Sequence, residues 1–415
     1  MDDLRTAETL DQAPKPLSRI VLGVTGGIAA YKAAELVRLL VKDGVTVDVV
    51  LTEAGARFVT ATTFQALSGR PVLSDLWQSG ADNAMGHIAV SRGADAIVVA
   101  PATADFIRKL AHGAADDLLS TLCLARECPL LVAPAMNRQM WWNAATQRNV
   151  AQLVADGIAI LGPDTGELAC NENGEGRMLE AAEIYAALVA SRQPKVLAGK
   201  RVLLTAGPTV ETIDPVRSIT NASSGKMGFA IAQAAAEAGA HVTMVAGPTS
   251  LATPAGVDRI DVRSTAEMAQ AVFDRVADCD IFVAVAAAAD YTPARPQAQK
   301  IKKLGGPLTV ELEPTTDILA TVAARQNPPF CVGFAAESQD VVRLAEEKRR
   351  RKRLPLIVAN RAQDALGNAE NEVTLLDDAG AHPLPKVEKL ALARRLVGEI
   401  ATRLVPNETP GNAGH

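Results

Sequence analysis

The sequence predicts an α/β fold built from two doubly wound, mainly parallel, three-layer domains. At roughly 150 residues per domain, its 415 residues predict two or three domains with full-sized cores. Hydrophobic residues make up 48% of the chain and aromatic residues only 3%, which favours cores of Ala, Val, Leu and Ile. Short apolar runs alternate with amphipathic stretches, the pattern of a parallel sheet that helices cover on both faces.

The first domain is expected over residues 19–190, after an N-terminal tail at 1–18. Its first strand, RIVLGV, is followed by the amphipathic helix IAAYKAAELVRLLVKDG and the strand VTVDVVLT. Three further apolar runs, ADAIVVAPATAD, CPLLVAPAMN and GIAILGP, predict the remaining strands. Residues 191–199, which include Pro194 and Gly199, separate two periodic regions and indicate a linker.

The second domain is expected over residues 200–405, before a C-terminal tail at 406–415. The strand RVLLTAGPT leads into the helix GKMGFAIAQAAAEAGA, and HVTMVAGPTS and DRIDV are the next strands. The helix TAEMAQAVFDRVAD then precedes two buried strands, DIFVAVAAAAD and FCVGFAAE. Ligands of open α/β sheets bind outside the carboxyl ends of the strands, so chemistry is expected at the strand ends.

Charge and cysteine usage narrow the class of protein. With 42 Lys+Arg against 47 Asp+Glu the net charge is −5, which gives no electrostatic case for coating nucleic acid. The five cysteines form no C-x-x-C pair, so reduced thiols are expected. The acidic N-terminal stretch does not resemble a signal peptide, and no apolar run reaches ~18 residues. We therefore expect a cytoplasmic protein without a membrane span.

The segment GVTGGIAAYK joins the first strand to the first helix. Gly26 and Gly27 let backbone N–H groups approach a phosphate at the positive end of that helix. The glycine spacing is not the G-x-G-x-x-G fingerprint, and Thr52 ends the second strand where a dinucleotide enzyme needs a carboxylate. The segment therefore indicates either a mononucleotide phosphate site or a plain glycine-permitted turn.

Other candidate residues follow the later strands of the first domain. APATAD at 100–105 and PAMN at 134–137 end buried strands with small residues followed by hydrogen-bonding side chains. His87 precedes one of these strands, and Cys170 lies in a predicted Gly-rich loop, CNENGEGRM. A lone histidine or cysteine is more often structural, but the combination favours an active site.

The first domain resembles the flavin-dependent cysteine decarboxylases in four segments: GVTGGIAAYK, GHIAVSRGADAIVVAPATAD, PAMN and the Cys170 segment. The resemblance spans roughly residues 19–185 and is to the phosphopantothenoylcysteine decarboxylase half of the bifunctional coenzyme A biosynthesis family. It implies a flavodoxin-like or Rossmann-like domain in which His87 is the active-site histidine, Asn137 orients the substrate carboxylate and Cys170 is the acid. It also implies that FMN is held by Gly26, Gly27, Ile28, Thr52, Ala102, Thr103, Ala104 and Asp105.

The implied chemistry suits these residue types. A flavin provides the electron sink that loss of CO2 from a cysteinyl group needs, by first oxidising the thiol to a thioaldehyde. The ene-thiolate that remains after CO2 leaves must then be protonated and reduced by the same flavin, and a thiol such as that of Cys170 is a suitable proton donor.

The second domain has its own anion-binding signals. The segment TAGPTVETIDPVRSITNASSGKMG concentrates hydroxyls and glycines before a helix, but it is not a P-loop. KIKK at 300–303 is either a phosphate-closing loop or a solvated basic loop. KRRRKR at 348–353 is either a nucleic-acid-binding patch or the exposed end of a helix. The net charge of −5 favours the helix end, whose lysines can still reach a triphosphate.

Roughly residues 200–403 resemble the phosphopantothenate–cysteine ligase domain of the same family, whose bacterial members use CTP. The resemblance is carried by the segments just described together with AAAADY, GFAAE and VAN. The resemblance implies that Asn221 and Lys300 serve formation and turnover of an acyl-cytidylate. The nucleotide is then expected at Ala284, Val285, Ala286, Asp290, Lys300, Thr316, Asp317, Ile318, Leu319, Phe334, Lys348 and Lys352. Magnesium is expected with the triphosphate, and Asp290 is a candidate ligand.

The resemblance further implies 4′-phosphopantothenate, cysteine and CTP as substrates, and a homo-oligomer, trimer-based through the first domain. Two other classes remain as alternatives. A flavin-binding regulatory module without catalysis is disfavoured by His87, Asn137 and Cys170. An NAD-dependent oxidoreductase is disfavoured by the missing dinucleotide fingerprint.

Overall fold

The computed structural model describes residues 17–75, 90–167, 173–302, 308–361, 363 and 368–404. The chain divides into two compact units between Gln193 and Pro194. Most of the predicted N-terminal tail and all of the predicted C-terminal tail lie outside the described residues, as do His87 and Cys170. The boundaries 190 and 200 stay predictions, and Leu197, inside the predicted linker, is buried in the core of the second unit.

The first unit contains a five-stranded parallel sheet with the strand order β2-β1-β3-β4-β5. Its strands are β1 Arg19–Val24, β2 Thr46–Leu51, β3 Ala96–Ala102, β4 Leu130–Pro134 and β5 Ala159–Ile160. Its described helices are α1 Ala30–Lys42, α2 Glu53–Ala56, α3 Ala61–Ser68, α4 Ala104–Ala111, α5 Leu118–Leu124, α6 Arg138–Trp141, α7 Ala144–Ala155 and α8 Ala181–Ser191.

Side chains of this sheet alternate between two separate cores. In β1, Ile20 and Leu22 are buried beneath α1 and α8, whereas Val21 is buried with residues of α4, α5 and α7 on the opposite face. Every residue of β3 is buried, because helices cover both faces of the strand. The predicted three-layer arrangement is therefore confirmed for this unit.

A small antiparallel hairpin follows the sheet. It pairs β6, Asp164–Glu167, with β7, Asn173–Arg177. Residues 168–172 connect the two strands and lie outside the described residues. The Gly-rich segment that contains Cys170 is thus partly a strand rather than a loop throughout.

The second unit contains an eight-stranded sheet with the order β12-β11-β8-β13-β16-β17-β18-β19. These strands are β8 Arg201–Ala206, β11 His241–Ala246, β12 Val257–Asp261, β13 Ile281–Ala284, β16 Phe330–Glu337, β17 Leu356–Arg361, β18 Glu370–Asp377 and β19 Gly380–Glu388. Two hairpins lie outside the sheet, β9 Val210–Thr212 with β10 Ser218–Thr220 and β14 Tyr291–Pro293 with β15 Leu312–Pro314. The described α-helices are α9 Lys226–Glu237, α10 Thr265–Phe273, α11 Ile318–Ala323, α12 Val341–Lys352 and α13 Lys389–Leu404.

Six strands of the larger sheet are parallel, and β18 and β19 extend it as an antiparallel ribbon. One face is covered by α9 and α13, and the other by α10, α11 and α12. The prediction of a second, mainly parallel, three-layer domain is confirmed. The order of the parallel strands reverses direction between β8 and β13, which is the position where ligands bind to doubly wound sheets.

None of the helices in the described ranges has the combination of length and apolar character needed to cross a membrane. The four cysteines within these ranges, Cys123, Cys128, Cys279 and Cys331, are free thiols.

Candidate active sites

The first candidate site is a cleft of about 850 Å³ at the carboxyl ends of β1, β2 and β3. Its volume falls in the range of roughly 300–1,000 Å³ that small-molecule sites occupy. Apolar side chains and a rim of carboxylates surround it. The predicted cofactor residues that line it are Gly26, Thr52, Thr103, Ala104 and Asp105.

The start of α1 is suited to an anion such as a flavin phosphate. The N–H groups of Gly26, Gly27 and Ile28 meet no acceptor in the described part of the chain, and no side chain caps the helix. A Cβ added at Gly27 would meet only Pro101 Cγ, at 3.9 Å, so the space beside this residue is open. Unpaired donors at the positive end of a helix fit a phosphate group.

Packing within the protein explains the glycine at position 26, whereas the space beside Gly27 is open. A Cβ at this position would lie 2.6 Å from the Cβ of Ala54 in α2, so a side chain would push the two loops apart. The loop after β1 therefore packs directly against the start of α2. Close packing, rather than contact with a ligand, is sufficient to require glycine at position 26.

Three threonine hydroxyls hold the strand ends that form the cleft. Thr25 Oγ1 donates to the carbonyl of Pro101 at 2.7 Å and accepts from Thr103 N at 3.1 Å, which joins the ends of β1 and β3. Thr52 Oγ1 donates to the carbonyl of Val24 at 3.2 Å and caps α2. Thr103 caps α4. The hydroxyls of Thr52 and Thr103 are thus already engaged with the protein, and Thr25 was not among the predicted residues.

The other three predicted cofactor positions lie outside the cleft lining. Ala102 is fully buried in β3, and its carbonyl accepts from Ala135 N at 3.0 Å, so it supports the strand end without facing the cleft. Gly27 and Ile28 lie beside the cleft at the start of α1, and the Ile28 side chain is exposed.

Sequence reasoning missed a charged cluster on the cleft wall. Lys109 Nζ lies 2.9 Å from Asp116 Oδ1 and 2.7 Å from Asp117 Oδ2. Burial lowers the pKa of Lys109, but the hydrogen bonds that its ammonium donates to the two carboxylates outweigh this effect and raise the pKa overall. Asp117 also caps α5 through Ser120 N at 2.8 Å. The adjacent aspartates before an apolar run were the available signal for a helix start.

Asn137 lies beside the hairpin that carries the Cys170 segment. Its Oδ1 accepts from Gln139 N at 2.8 Å and so caps α6. The neighbouring Met136 N donates to the carbonyl of Gly176 in β7 at 2.9 Å. The structure therefore brings Asn137 next to the base of this hairpin, whereas Cys170 between β6 and β7 and the predicted His87 are outside the described residues.

Glycines allow this hairpin to approach so closely. Gly176 has a φ of 137°, and a Cβ there would lie 2.3 Å from the carbonyl oxygen of Met136. A Cβ at Gly174 would lie 2.5 Å from Arg138 Cδ. On the far side, buried Lys32 Nζ donates to the Met178 carbonyl at 2.9 Å and to Glu180 at 2.8 Å. The end of β7 is held between the 136–138 segment and α1.

The second candidate site is a cleft of about 170 Å³ at the carboxyl ends of β8, β13 and β16. Ten of the twelve predicted nucleotide positions line it: Ala284, Ala286, Asp290, Thr316, Asp317, Ile318, Leu319, Phe334, Lys348 and Lys352. Thr205, Met268, Ala288, Ala289 and Thr315 complete the lining. Thr205 Oγ1 accepts from Ala286 N at 3.2 Å and so supports the chain after β13.

Val285 does not line this cleft. Ala284 and Ala286 pack on the face of the sheet covered by α10 and α11, while Val285 packs on the opposite face with α9 and α13. Side chains of an extended chain alternate in this way, so three consecutive residues cannot all face one ligand. The predicted strand DIFVAVAAAAD also ends early, at Ala284.

The basic run 348–353 is largely used within the molecule. Lys348 Nζ donates to the carbonyl of Phe334 at 3.1 Å, and Lys352 Nζ lies 2.6 Å from Asp317 Oδ2. Burial, and then the charge of Lys352, lower the pKa of Lys348. Buried Arg349 pairs with Glu346 at 2.8 Å and with Asp378 at 2.8 Å. Lys348 and Lys352 nevertheless line the cleft, and their contact with a triphosphate stays a prediction.

Asn221 connects the two loops at the switch point. Its Nδ2 donates to the carbonyl of Ala287 at 3.0 Å and to that of Ala288 at 3.2 Å. Ala287 N in turn donates to the carbonyl of Gly207 at 2.9 Å. Asn221 therefore fixes the chain after β13 against the segment that precedes α9, and its amide hydrogens are used for this purpose.

Lys300 does not line this second cleft. Lys300 lies in the segment that connects β14 to β15. The two ends of this hairpin are joined beside the cleft, where Thr315 N donates to the carbonyl of Asp290 at 2.9 Å. Lys300 is exposed, and its neighbour Ile301 is bound to the turn between β9 and β10. Lys303 of the KIKK motif lies outside the described residues.

Asp290, the candidate magnesium ligand, lines the cleft and is exposed. Within the described ranges, no cluster of three or more His, Cys, Asp or Glu side chains is arranged to hold a metal ion. A single carboxylate together with substrate phosphates is nevertheless a usual way to bind Mg²⁺, because this ion keeps several waters.

Both halves of the chain are similar to solved structures. The C-terminal domain of a coenzyme A biosynthesis bifunctional protein CoaBC is 39% identical and covers 51% of this chain and 98% of that chain, with a TM-score of 0.44. A PPC decarboxylase mutant complexed with pantothenoylaminoethenethiol is 30% identical and covers 42% of this chain and 97% of that chain, with a TM-score of 0.39.

Family models and curated relatives cover nearly the whole chain. The flavoprotein family model matches residues 9–193, and the model of the DNA/pantothenate metabolism flavoprotein C-terminal domain matches residues 197–404. The coenzyme A biosynthesis bifunctional protein CoaBC of Vibrio cholerae is 51% identical over 90% of this chain and 96% of its own length. The corresponding proteins of Escherichia coli K12 and Bacillus subtilis are 47% and 43% identical, over 93% and 92% of this chain and 97% and 96% of their own lengths.

These relatives confirm the resemblance that the motifs predict in each half. The chain therefore belongs to the CoaBC family, the bifunctional enzymes of coenzyme A biosynthesis.

Proposed function

We propose that the second unit joins cysteine to 4′-phosphopantothenate with CTP, and that the first unit decarboxylates the product to 4′-phosphopantetheine with FMN. The observation that carries this proposal is the pair of strand-end clefts, one in each unit. Each is lined by residues that the sequence motifs assign to the corresponding half-reaction.

In the ligase step the pantothenate carboxylate attacks the α-phosphorus of CTP, the bond to pyrophosphate breaks, and an acyl-cytidylate forms. The amine of cysteine then attacks the activated carbonyl, and CMP leaves. Lys348 and Lys352 on the cleft wall offer positive charge to the phosphates. Lys300 acts where charge develops, and Asn221 holds the switch-point loops in register for the intermediate.

Magnesium accompanies CTP in this proposal. The cleft already has Asp290 as one carboxylate, and Asp317 is paired with Lys352 at 2.6 Å and so is less available. The substrate phosphates would complete the coordination shell together with water.

In the decarboxylase step FMN would supply the electron sink for loss of CO2, by taking two electrons from the substrate thiol and returning them when the ene-thiolate is reduced. The unpaired N–H groups of Gly26, Gly27 and Ile28 hold its phosphate, and Thr25 keeps the ends of β1 and β3 together below it. Asn137 orients the substrate carboxylate, His87 serves the first oxidation, and Cys170 protonates the ene-thiolate. A thiol acid of this kind suits a reducing, cytoplasmic setting.

We also propose a homo-oligomer, trimer-based through the first unit. Phe58 and Met140 both line the flavin cleft, yet their side chains are 50% and 49% exposed, and Trp142 nearby in sequence is 57% exposed. Large apolar side chains at the mouth of a cofactor cleft support coverage by another subunit.

Incubation of the purified protein with 4′-phosphopantothenate, cysteine and each nucleoside triphosphate tests both steps, with products followed by mass spectrometry. We predict product with CTP and far less with ATP, because the small cleft must reject the larger purine. A yellow protein with the two-band flavin spectrum is expected in the same sample. Equal turnover with ATP would contradict the assigned nucleotide.

A further inference from the structure

We propose that Asp214 is a positioning residue for the ligase reaction: its carboxylate holds the backbone N–H of Ile301 and thereby fixes the neighbouring Lys300. The inference rests on the function proposed above for Lys300. Asp214 lies in the turn between β9 and β10, far from Lys300 in sequence but in direct contact with the residue that follows it.

The Asp214 side chain is completely buried. Its Oδ1 accepts from Val216 N at 2.8 Å and from Arg217 N at 2.9 Å, and its Oδ2 accepts from Ile301 N at 3.1 Å. Arg217 Nη1 lies 3.4 Å from Oδ2. Burial raises the pKa of Asp214, but these N–H donors and Arg217 outweigh it and lower the pKa below its usual range. The group is therefore a carboxylate at neutral pH.

Two further contacts hold the same segment. Arg217 Nη2 donates to the carbonyl of Ile301 at 3.1 Å, and Gln297 N donates to the carbonyl of Ile213 at 2.8 Å. Both backbone groups of Ile301 are thus bound by the β9–β10 turn. Lys300 itself stays exposed, so its backbone is fixed while its side chain remains accessible to a substrate.

The two oxygens of Asp214 have separable roles. One oxygen is enough to bind Val216 N and Arg217 N and so to form the turn, as an asparagine can also do. The other oxygen binds Ile301 N and the guanidinium of Arg217. Asp214→Asn can keep the turn through its amide oxygen, but it presents an NH₂ group to Ile301 N and removes that contact selectively.

Tryptic cleavage measures the contact directly and needs no assumption about function. Hydrolysis of the Lys300–Ile301 bond requires the Ile301 segment to leave the turn, because a protease must bind it in extended form. We expect Asp214→Asn to accelerate this cleavage in the full-length protein on the order of tenfold. Asp258→Asn, which removes an exposed carboxylate in β12, is the matched control and should leave the rate unchanged.

A double-mutant cycle then tests whether Asp214 acts through Lys300. Release of pyrophosphate in the presence of CTP and 4′-phosphopantothenate should fall about tenfold in Asp214→Asn, since a small misplacement of a catalytic group is costly. The double variant with Lys300→Gln should be no slower than Lys300→Gln alone, because the position of a lysine that is absent cannot matter. A residue with a general structural role would instead give additive losses.

If Asp214→Asn lowers the melting temperature of the protein, Ile301→Pro removes the same N–H from the other side of the contact. It must then reproduce both the loss of pyrophosphate release and the non-additivity with Lys300→Gln. Unchanged cleavage in Asp214→Asn, or losses that add to those of Lys300→Gln, would overturn the proposal. Absence of any CTP-dependent product with the unmutated protein would instead count against the proposed function, whatever the cleavage rates.

Discussion

Burial makes three of the cysteine thiols unreactive. Cys123 and Cys331 are buried in apolar cores, and burial raises the pKa of each thiol to about 12. Burial also raises the pKa of the half-buried Cys128 thiol. Since the thiolate is the reactive form, these cysteines act as small apolar side chains.

Labelling with iodoacetamide at pH 8 tests this effect of burial. Thiols with a pKa of about 12 are ionised in only about one molecule in 10⁴ at this pH, and burial adds a steric block, so Cys123 and Cys331 should remain unlabelled. The same residues should react in 8 M urea, which is the control. Equal labelling of Cys123 in native and denatured protein, read by peptide mass spectrometry, would contradict the described packing.

Cys170 and His87 are predicted to serve different parts of decarboxylation. We expect Cys170→Ser to stop the reaction after CO2 loss, because a hydroxyl is a far poorer proton donor than a thiol. His87→Asn should instead prevent CO2 loss altogether. Measuring CO2 release and 4′-phosphopantetheine separately distinguishes the two variants. Normal 4′-phosphopantetheine formation by Cys170→Ser would show that another group is the acid.

Single residues of the clefts were only partly predictable. Motif positions such as Thr52 and Asp317 do lie at the clefts, because loops after parallel strands meet at one edge of a sheet. Thr25 was missed, since its role depends on the carbonyl of Pro101, 76 residues away. Val285 lies on the opposite face of the chain from Ala284 and Ala286, because a motif gives a run of residues whereas the alternation of an extended chain decides which of them line the cleft.

At the scale of elements, buried strands and amphipathic helices were predicted best. In the run RIVLGV every residue after Arg19 is apolar and buried because both faces of the strand are covered, and this signal is local. The β6–β7 hairpin has no such signal, since its polar, Gly-rich strands depend on docking against Met136 and Arg138. Its glycines indicated a loop, but the structure uses them for close contact.

Substitution of Gly176 tests this account of the hairpin. In Gly176→Ala the new Cβ would lie 2.3 Å from a backbone oxygen, so we expect a loss of about 2–4 kcal/mol in the free energy of unfolding of the first unit, and slower decarboxylation. Gly157→Ala is the matched control, because Gly157 also has a positive φ, of 77°, but its Cβ would meet no atom within 4 Å. This control should cost only about 1–2 kcal/mol.

Chemical denaturation of the two variants, followed by a probe of the first unit, gives the comparison. Equal destabilisation by Gly176→Ala and Gly157→Ala would mean that the contact with Met136 is not tight. Greater loss of decarboxylase activity in Gly176→Ala than in Gly157→Ala is also required.

For the molecule as a whole, the two units have separate cores and separate clefts. A net charge of −5 gives no general attraction for polyanions, so the anion sites that we propose depend on local features such as the start of α1 and Lys348. Such features arise at strand ends in both units. The two-domain organisation was predictable from composition and periodicity, but the antiparallel ribbon β18–β19 and the small hairpins were not.

Two independent active sites on one chain is the central claim, and paired rates on the same preparations test it most directly. Pyrophosphate release from CTP and formation of 4′-phosphopantetheine from supplied phosphopantothenoylcysteine are measured for Lys300→Gln, Cys170→Ser and an equimolar mixture of both. We predict that Lys300→Gln loses pyrophosphate release and still forms 4′-phosphopantetheine from phosphopantothenoylcysteine at a near-normal rate. Cys170→Ser should keep pyrophosphate release and lose formation of 4′-phosphopantetheine. The mixture should form 4′-phosphopantetheine from 4′-phosphopantothenate and cysteine. Loss of both activities in either variant, with no product from the mixture, would contradict the claim.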